Sequence, residues 1–110
     1  MHIFKIIDRE AWTAAEAAGK FTGAAIDLQD GYIHFSTAEQ AAETAAKHFA
    51  GVSNLLLVAV ETETLGDALK WEASRGGALF PHLYEPLVTS SVVWVKELPL
   101  GDDGVHQFPE

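Results

Sequence analysis

The chain predicts a single α+β domain, a curved sheet covered by helices, and three observations carry that reading. Its 110 residues match one compact domain, and a hydrophobic content of 48% suffices for one core without metal or covalent staples. Its apolar periodicity shifts between runs of β-branched residues and stretches spaced by three and four. The two kinds of segment follow neither a strict βαβα alternation nor an all-β pattern, which leaves the mixed class.

Taken in order, Ile3 to Ile7 is mostly β-branched and apolar and predicts a short strand, after which Asp8 offers a side-chain oxygen to cap a helix. That helix runs from about Arg9 to Ala18, with Ala11, Trp12, Ala15 and Ala18 as its apolar line and Gly19 and Gly23 as stop and turn. Phe21 to Gln29 reads as a connector. Asp30-Gly31 then turns the chain into Tyr32-Ile33-His34-Phe35-Ser36, where period-two geometry sets Ile33 and Phe35 on one face and Tyr32, His34 and Ser36 on the other.

Ser36 with Glu39, or Thr37 with Gln40, has capping-box spacing and opens a helix over Ala38 to Phe49, with Gly51 as its C-terminal stop. Leu55 to Val60 is too short for a capped buried helix and predicts a central strand covered on both faces. Glu61 to Lys70 is charged and loop-like with room for one helical turn. Gly76-Gly77 and Pro81 disfavour long regular structure between Trp71 and Tyr84, and Ser91 to Leu98 returns to a strand pattern. The domain proper is then residues 1–98. Residues 99–110, with two prolines, two glycines and several acids, predict an extended acidic tail.

Seven Lys plus Arg against sixteen Asp plus Glu give a net charge of −9, which repels a phosphate backbone and argues against general nucleic-acid or anionic-membrane binding. The absence of cysteine excludes disulfides, a thiol nucleophile and iron–sulfur chemistry. No segment has membrane-spanning length, and the N-terminal residues lack a leader pattern, so the expectation is a soluble, cytoplasmic protein.

Two short histidine segments carry the candidate chemistry. His34 and Ser36 share a strand face roughly 6.5 to 7 Å apart, just before a helix N-terminus, where backbone N–H groups favour an anion and an imidazole transfers a proton near neutral pH. Ser36 as a plain cap and His34 as a half-buried structural imidazole fit equally well. Phe80-Pro81-His82-Leu83-Tyr84 presents an imidazole and a phenol in a segment that Pro81 restrains, and it fits a simple loop anchor too. Glu72 beside Trp71 is a candidate acid or base, and Arg75, one of two arginines, is a candidate for a ligand phosphate or carboxylate. Two imidazoles with Glu72 make an acceptable zinc set, but no close ligand spacing supports it, so no metal is expected.

The segments Ile3-Phe4-Lys5-Ile6, Asp30 to Thr37, Trp71-Glu72 and Phe80 to Tyr84, in that order, resemble the domain of unknown function 952 family over about residues 3 to 98. That family resembles in turn the ADP-ribosyltransferase-like superfamily and its RNA 2′-phosphotransferase branch. The resemblance implies a split, curved sheet with two main helices around an NAD-binding cleft. It also implies residue roles. Lys5 stands where relatives place a residue that holds the cofactor, and His34 with Ser36 is similar to the His-x-Ser segment of the phosphotransferases. Joined to the candidates read from the residues themselves, this gives His34, Glu72 and His82 as catalytic and Lys5, Ser36, Trp71, Arg75 and Tyr84 as binding NAD or a related nucleotide, in an ADP-ribosyl- or phosphoryl-transfer type enzyme. The competing reading is a non-catalytic module that holds a small molecule or peptide in the same pocket.

Overall fold

In the computed structural model, which describes residues 1–109 apart from the Arg75 side chain, the elements run β1 (His2–Asp8), α1 (Arg9–Ala18), β2 (Lys20–Phe21), α2 (Ala25–Asp30), β3 (Ile33–His34), α3 (Ala38–His48), β4 (Leu55–Glu61), β5 (Leu69–Ala73), β6 (Leu79–Leu83), β7 (Leu87–Val88) and β8 (Val92–Leu98). The class is α+β. Where a curved, split sheet with two main helices was expected, the described residues form three antiparallel sheets, ordered β1-β4-β8, β2-β7 and β3-β6-β5, and the six-residue α2 joins α1 and α3.

β4 is the central strand, with Leu55 to Val60 all buried. Alternation sends Leu56, Val58 and Val60 into the larger core with Ile3, Ile7, Trp12, Phe21, Ile33 and Leu83, and Leu55 and Leu57 into a smaller one with Ile6, Ala45 and Leu98. The first and third sheets meet at one point. There Phe4 and Ser36 exchange both backbone hydrogen bonds, at 2.8 and 2.9 Å, which lays β1 beside the end of β3.

The helix ends follow local chemistry. Asp8 accepts from the Ala11 N–H at 2.8 Å, and Gly19 closes α1 at φ 83°. At α3 the Thr37–Gln40 pair forms the capping box: the Thr37 N–H donates to Gln40 at 3.0 Å, and the Gln40 N–H donates to Thr37 Oγ1 at 3.3 Å. Ser36 is thereby free of the cap.

Three segments fold differently from expectation. The connector over Phe21 to Gln29 holds β2, paired with β7, and the six-residue α2, too short to show a helical period. Asp27 closes its first turn by accepting the Ala24 N–H at 2.7 Å. Gly23 permits this approach, since a Cβ there would lie 2.9 Å from the Asp27 Cβ and its φ is 122°. Trp71 to Tyr84, expected to be irregular, contains the β5–β6 hairpin, with the glycines confined to its turn. Pro81 is tolerated in the middle strand because β3 has ended opposite it: the next residue gives one bond, from the Phe35 N–H to the Pro81 carbonyl at 3.0 Å, and the chain then pairs with Phe4 instead.

Residues 99–109 make specific contacts with one another and with the domain. Leu100 bridges His106, the Gln107 N–H donates to the Pro99 carbonyl at 2.8 Å, and His106 is buried with Nε2 2.7 Å from the Val52 carbonyl. Phe108 packs on the smaller core. These two ring anchors outweigh the polar, acidic composition. The radius of gyration, 13.2 Å, is that of one compact domain. Among the described residues no helix is long and apolar enough to cross a membrane.

Candidate functional site

The β3-β6-β5 sheet assembles the candidate residues. His34 lies directly opposite His82, and His82 directly opposite Lys70, with Glu72 two positions further along β5. Because opposed side chains share a face, His34, His82, Glu72 and Tyr84 stand on one side of the sheet, while Ile33 and Leu83 enter the core on the other. Tyr32 joins the first side. It stacks on His82 at 4.0 Å between ring centroids and meets the edges of His34 at 4.6 Å and Tyr84 at 5.2 Å. The imidazoles themselves are 5.4 Å apart.

Different carboxylates hold the two imidazoles, two at His34 and one at His82. His34 places Nδ1 2.6 Å from Asp27 Oδ1, which also accepts the His34 backbone N–H at 3.0 Å, and Nε2 2.9 Å from Asp30 Oδ2. His82 donates from Nδ1 to Glu72 Oε1 at 2.8 Å, and the Tyr84 hydroxyl donates to the same oxygen at 2.7 Å. Behind His34, Asp27 is 2% exposed and pairs with the buried Lys5, whose Nζ lies 3.0 Å from Asp27 Oδ1.

Residues 6–95 match the family described as "Protein of unknown function (DUF952)". The chain belongs to the DUF952 family. This DUF952 chain is similar to protein CC0527 from Caulobacter crescentus: its crystal structure is 59% identical with a TM-score of 0.94, covering 97% of this chain and 94% of that one. The solution NMR structure of CC0527 is 59% identical with a TM-score of 0.88, over 96% and 91%. No curated protein matches the chain.

The electrostatics of the DUF952 site follow from these bonds. Burial alone would raise Asp27, but the His34 hydrogen bond, the Lys5 charge and the His34 and Ala24 N–H groups together hold it well below the ordinary carboxylate range. Burial draws the Lys5 ammonium below its usual value, against the pull of Asp27. The bonds from Tyr84 and His82 lower Glu72, and the same Glu72 bond pushes the Tyr84 phenol up to about 12. Burial raises Tyr32, helped by the charges of Asp30 and Glu72.

Of the residues predicted for the site, the DUF952 fold brings together His34, His82, Glu72 and Tyr84, with Lys5 reaching the group only through Asp27. Ser36 is separate. Its buried hydroxyl bonds Thr44 Oγ1 in α3 at 2.9 Å, because the Phe4 pairing turns the chain away after His34. Trp71 alternates with Glu72 and so emerges on the opposite face of β5. The Arg75 side chain lies outside the described residues. Asp27 and Tyr32 were missed by sequence reasoning. The available signal for Asp27 was an acid three positions after Ala24, where a third-position carboxylate reaches back to a helix start. Among the described residues no group of three or more His, Asp or Glu is arranged to hold a metal ion.

Proposed function

We propose that the DUF952 chain binds NAD or a related nucleotide on the Tyr32–His34–His82–Tyr84 face and transfers an ADP-ribosyl or related group, as a divergent member of the ADP-ribosyltransferase-like superfamily. One observation carries this reading: two imidazoles side by side, each fixed at Nδ1 by a different carboxylate. Such carboxylate–imidazole pairs orient a ring for proton transfer. The exposed Tyr84 ring offers a stacking surface for a base.

In this scheme the bond between ribose and nicotinamide breaks, and its electrons leave with nicotinamide. Glu72, kept ionised by its two donors, stabilises the positive charge that develops on the ribose. An acceptor oxygen forms the new bond, and its proton passes to an imidazole. Lys5 supports His34 through Asp27, which leaves Arg75 as the candidate for the pyrophosphate. Isothermal titration of the native chain with NAD and ADP-ribose should give measurable heat that His34→Ala and His82→Ala abolish. No heat at millimolar ligand overturns the reading.

The satisfaction of the polar groups favours a second reading. Both ring nitrogens of His34 and the Glu72 carboxylate already have protein partners, an arrangement suited to a rigid non-catalytic binding surface for a small molecule or peptide. Ligand binding without release of nicotinamide selects it; slow, His34-dependent release selects the enzyme.

A further inference from the structure

The outer face of the β1-β4-β8 sheet is incompletely filled. Phe4, Leu57 and Trp94 share this face, since Phe4 and Trp94 both oppose Ala59 and Leu57 lies two positions from it. The helix that crosses them, α3, presents alanines, whose methyl groups do not span the gap between helix and sheet. What results is a groove of about 340 Å³, walled by Ala41 and Ala42 on one side and by Phe108 on the other. A smaller hollow of about 180 Å³ continues it between α3 and the tail, sharing Ala42 and Phe108. Protein interiors are otherwise close-packed, and unfilled apolar volume is destabilising.

A cation stands beside one wall of this groove, the Trp94 ring, without itself lining it. Lys96 opposes Leu57 in the ladder and so shares its face, and its ammonium lies 4.5 Å from the Trp94 ring centroid. Lys5, Arg9 and Lys47 each pair with a carboxylate, whereas Lys96, like Lys20 and Lys70, makes no ion pair among the described residues. On a chain of net charge −9, an anion is repelled from most of the surface and attracted where such a cation sits beside apolar walls.

We propose that this groove is a second ligand site, distinct from the histidine face, for a small amphipathic carboxylate. The apolar part lies between Phe4, Trp94 and Ala41, and the carboxylate meets Lys96. The volume falls at the lower end of small-molecule pockets, which run from about 300 to 1,000 Å³. The ring under Lys96 restrains its ammonium before the ligand arrives, which reduces the ordering cost of binding.

The test uses 4-phenylbutyrate and its neutral amide, titrated into the full chain and followed by amide and indole NMR. The expected result is saturable one-to-one binding of the acid, with shifts at the Trp94 indole, Phe4 and Ala41, and weaker binding of the amide. Lys96→Ala should weaken the acid roughly three- to fivefold, the worth of an exposed ion pair, and leave the amide unchanged. Ala42→Leu fills the groove and should abolish both without lowering the melting temperature, and His34→Ala should alter neither. Absence of saturable shifts, equal binding of acid and amide regardless of Lys96, or shifts centred on Tyr32 and His82 overturns the proposal. The titration with NAD and ADP-ribose tests the histidine face separately, so failure at the groove and failure at the histidines are distinguishable.

Discussion

His34 and His82 stand directly opposite one another across β3 and β6, and they are anchored differently: the His34 carboxylate, Asp27, is buried and paired with Lys5, while the His82 carboxylate, Glu72, is partly exposed and shared with Tyr84. Only His34 is thus tied to a buried ion pair, with Asp30 as its second, surface partner. Perturbing the two anchors should therefore have different consequences.

Asp27→Asn leaves Lys5 buried without its counter-charge and should cost about 3–5 kcal/mol of stability. Lys5→Met combined with Asp27→Asn removes both charges and should recover most of that loss. Urea denaturation at neutral pH measures both; a single variant as stable as the native chain would mean that the pair contributes little.

Acid stability should depend on the same carboxyl. Its folded-state value is depressed, so its contribution is full above the unfolded value, about 3.9, and declines as pH falls below it. Between about pH 5 and 2, the native chain should lose stability more steeply than the Lys5→Met, Asp27→Asn double variant. Parallel curves from denaturation at several pH values would contradict this.

Glu72→Gln replaces the anionic acceptor of the Tyr84 hydroxyl with a neutral one. The Tyr84 phenol, at about 12, should return toward the ordinary value near 10, with a smaller fall for Tyr32. Phenolate absorbance across an alkaline titration reads the change directly. Because Glu72 is partly exposed, the melting temperature should move far less than the Tyr84 titration does.

Thr37→Ala removes one half of the α3 capping box and should destabilise the fold by about 1 kcal/mol, whereas Thr37→Ser should be nearly neutral. Thermal unfolding distinguishes them. Ser36→Ala should leave the cap intact, since its hydroxyl serves Thr44 instead.

Much of the framework was legible before folding was considered. The strand at Leu55 to Val60 declared itself through an unbroken apolar run, α1 through Asp8 and Gly19, and α3 through the Thr37–Gln40 spacing, all signals between near neighbours in the chain. The β5–β6 hairpin was hidden because Gly76, Gly77 and Pro81 read as breakers, whereas two of them form its turn and the third needs no N–H where it sits. Asp27 was hidden for another reason. Its partners Lys5 and His34 lie on different strands, and one acid among sixteen carries no mark of the charge it will meet.

The sequence by itself determined the mixed α/β character, the central strand, two capped helices and the two histidine segments, because periodicity and capping depend on residues a few positions apart. Tertiary structure alone decided that His34 faces His82, that Asp27 and Lys5 stand behind one of them, that Ser36 and Trp71 point elsewhere, and that α3 leaves a groove beside Lys96. Strand register and the placement of a helix on a sheet are set by packing between distant segments, and no spacing along the chain encodes them.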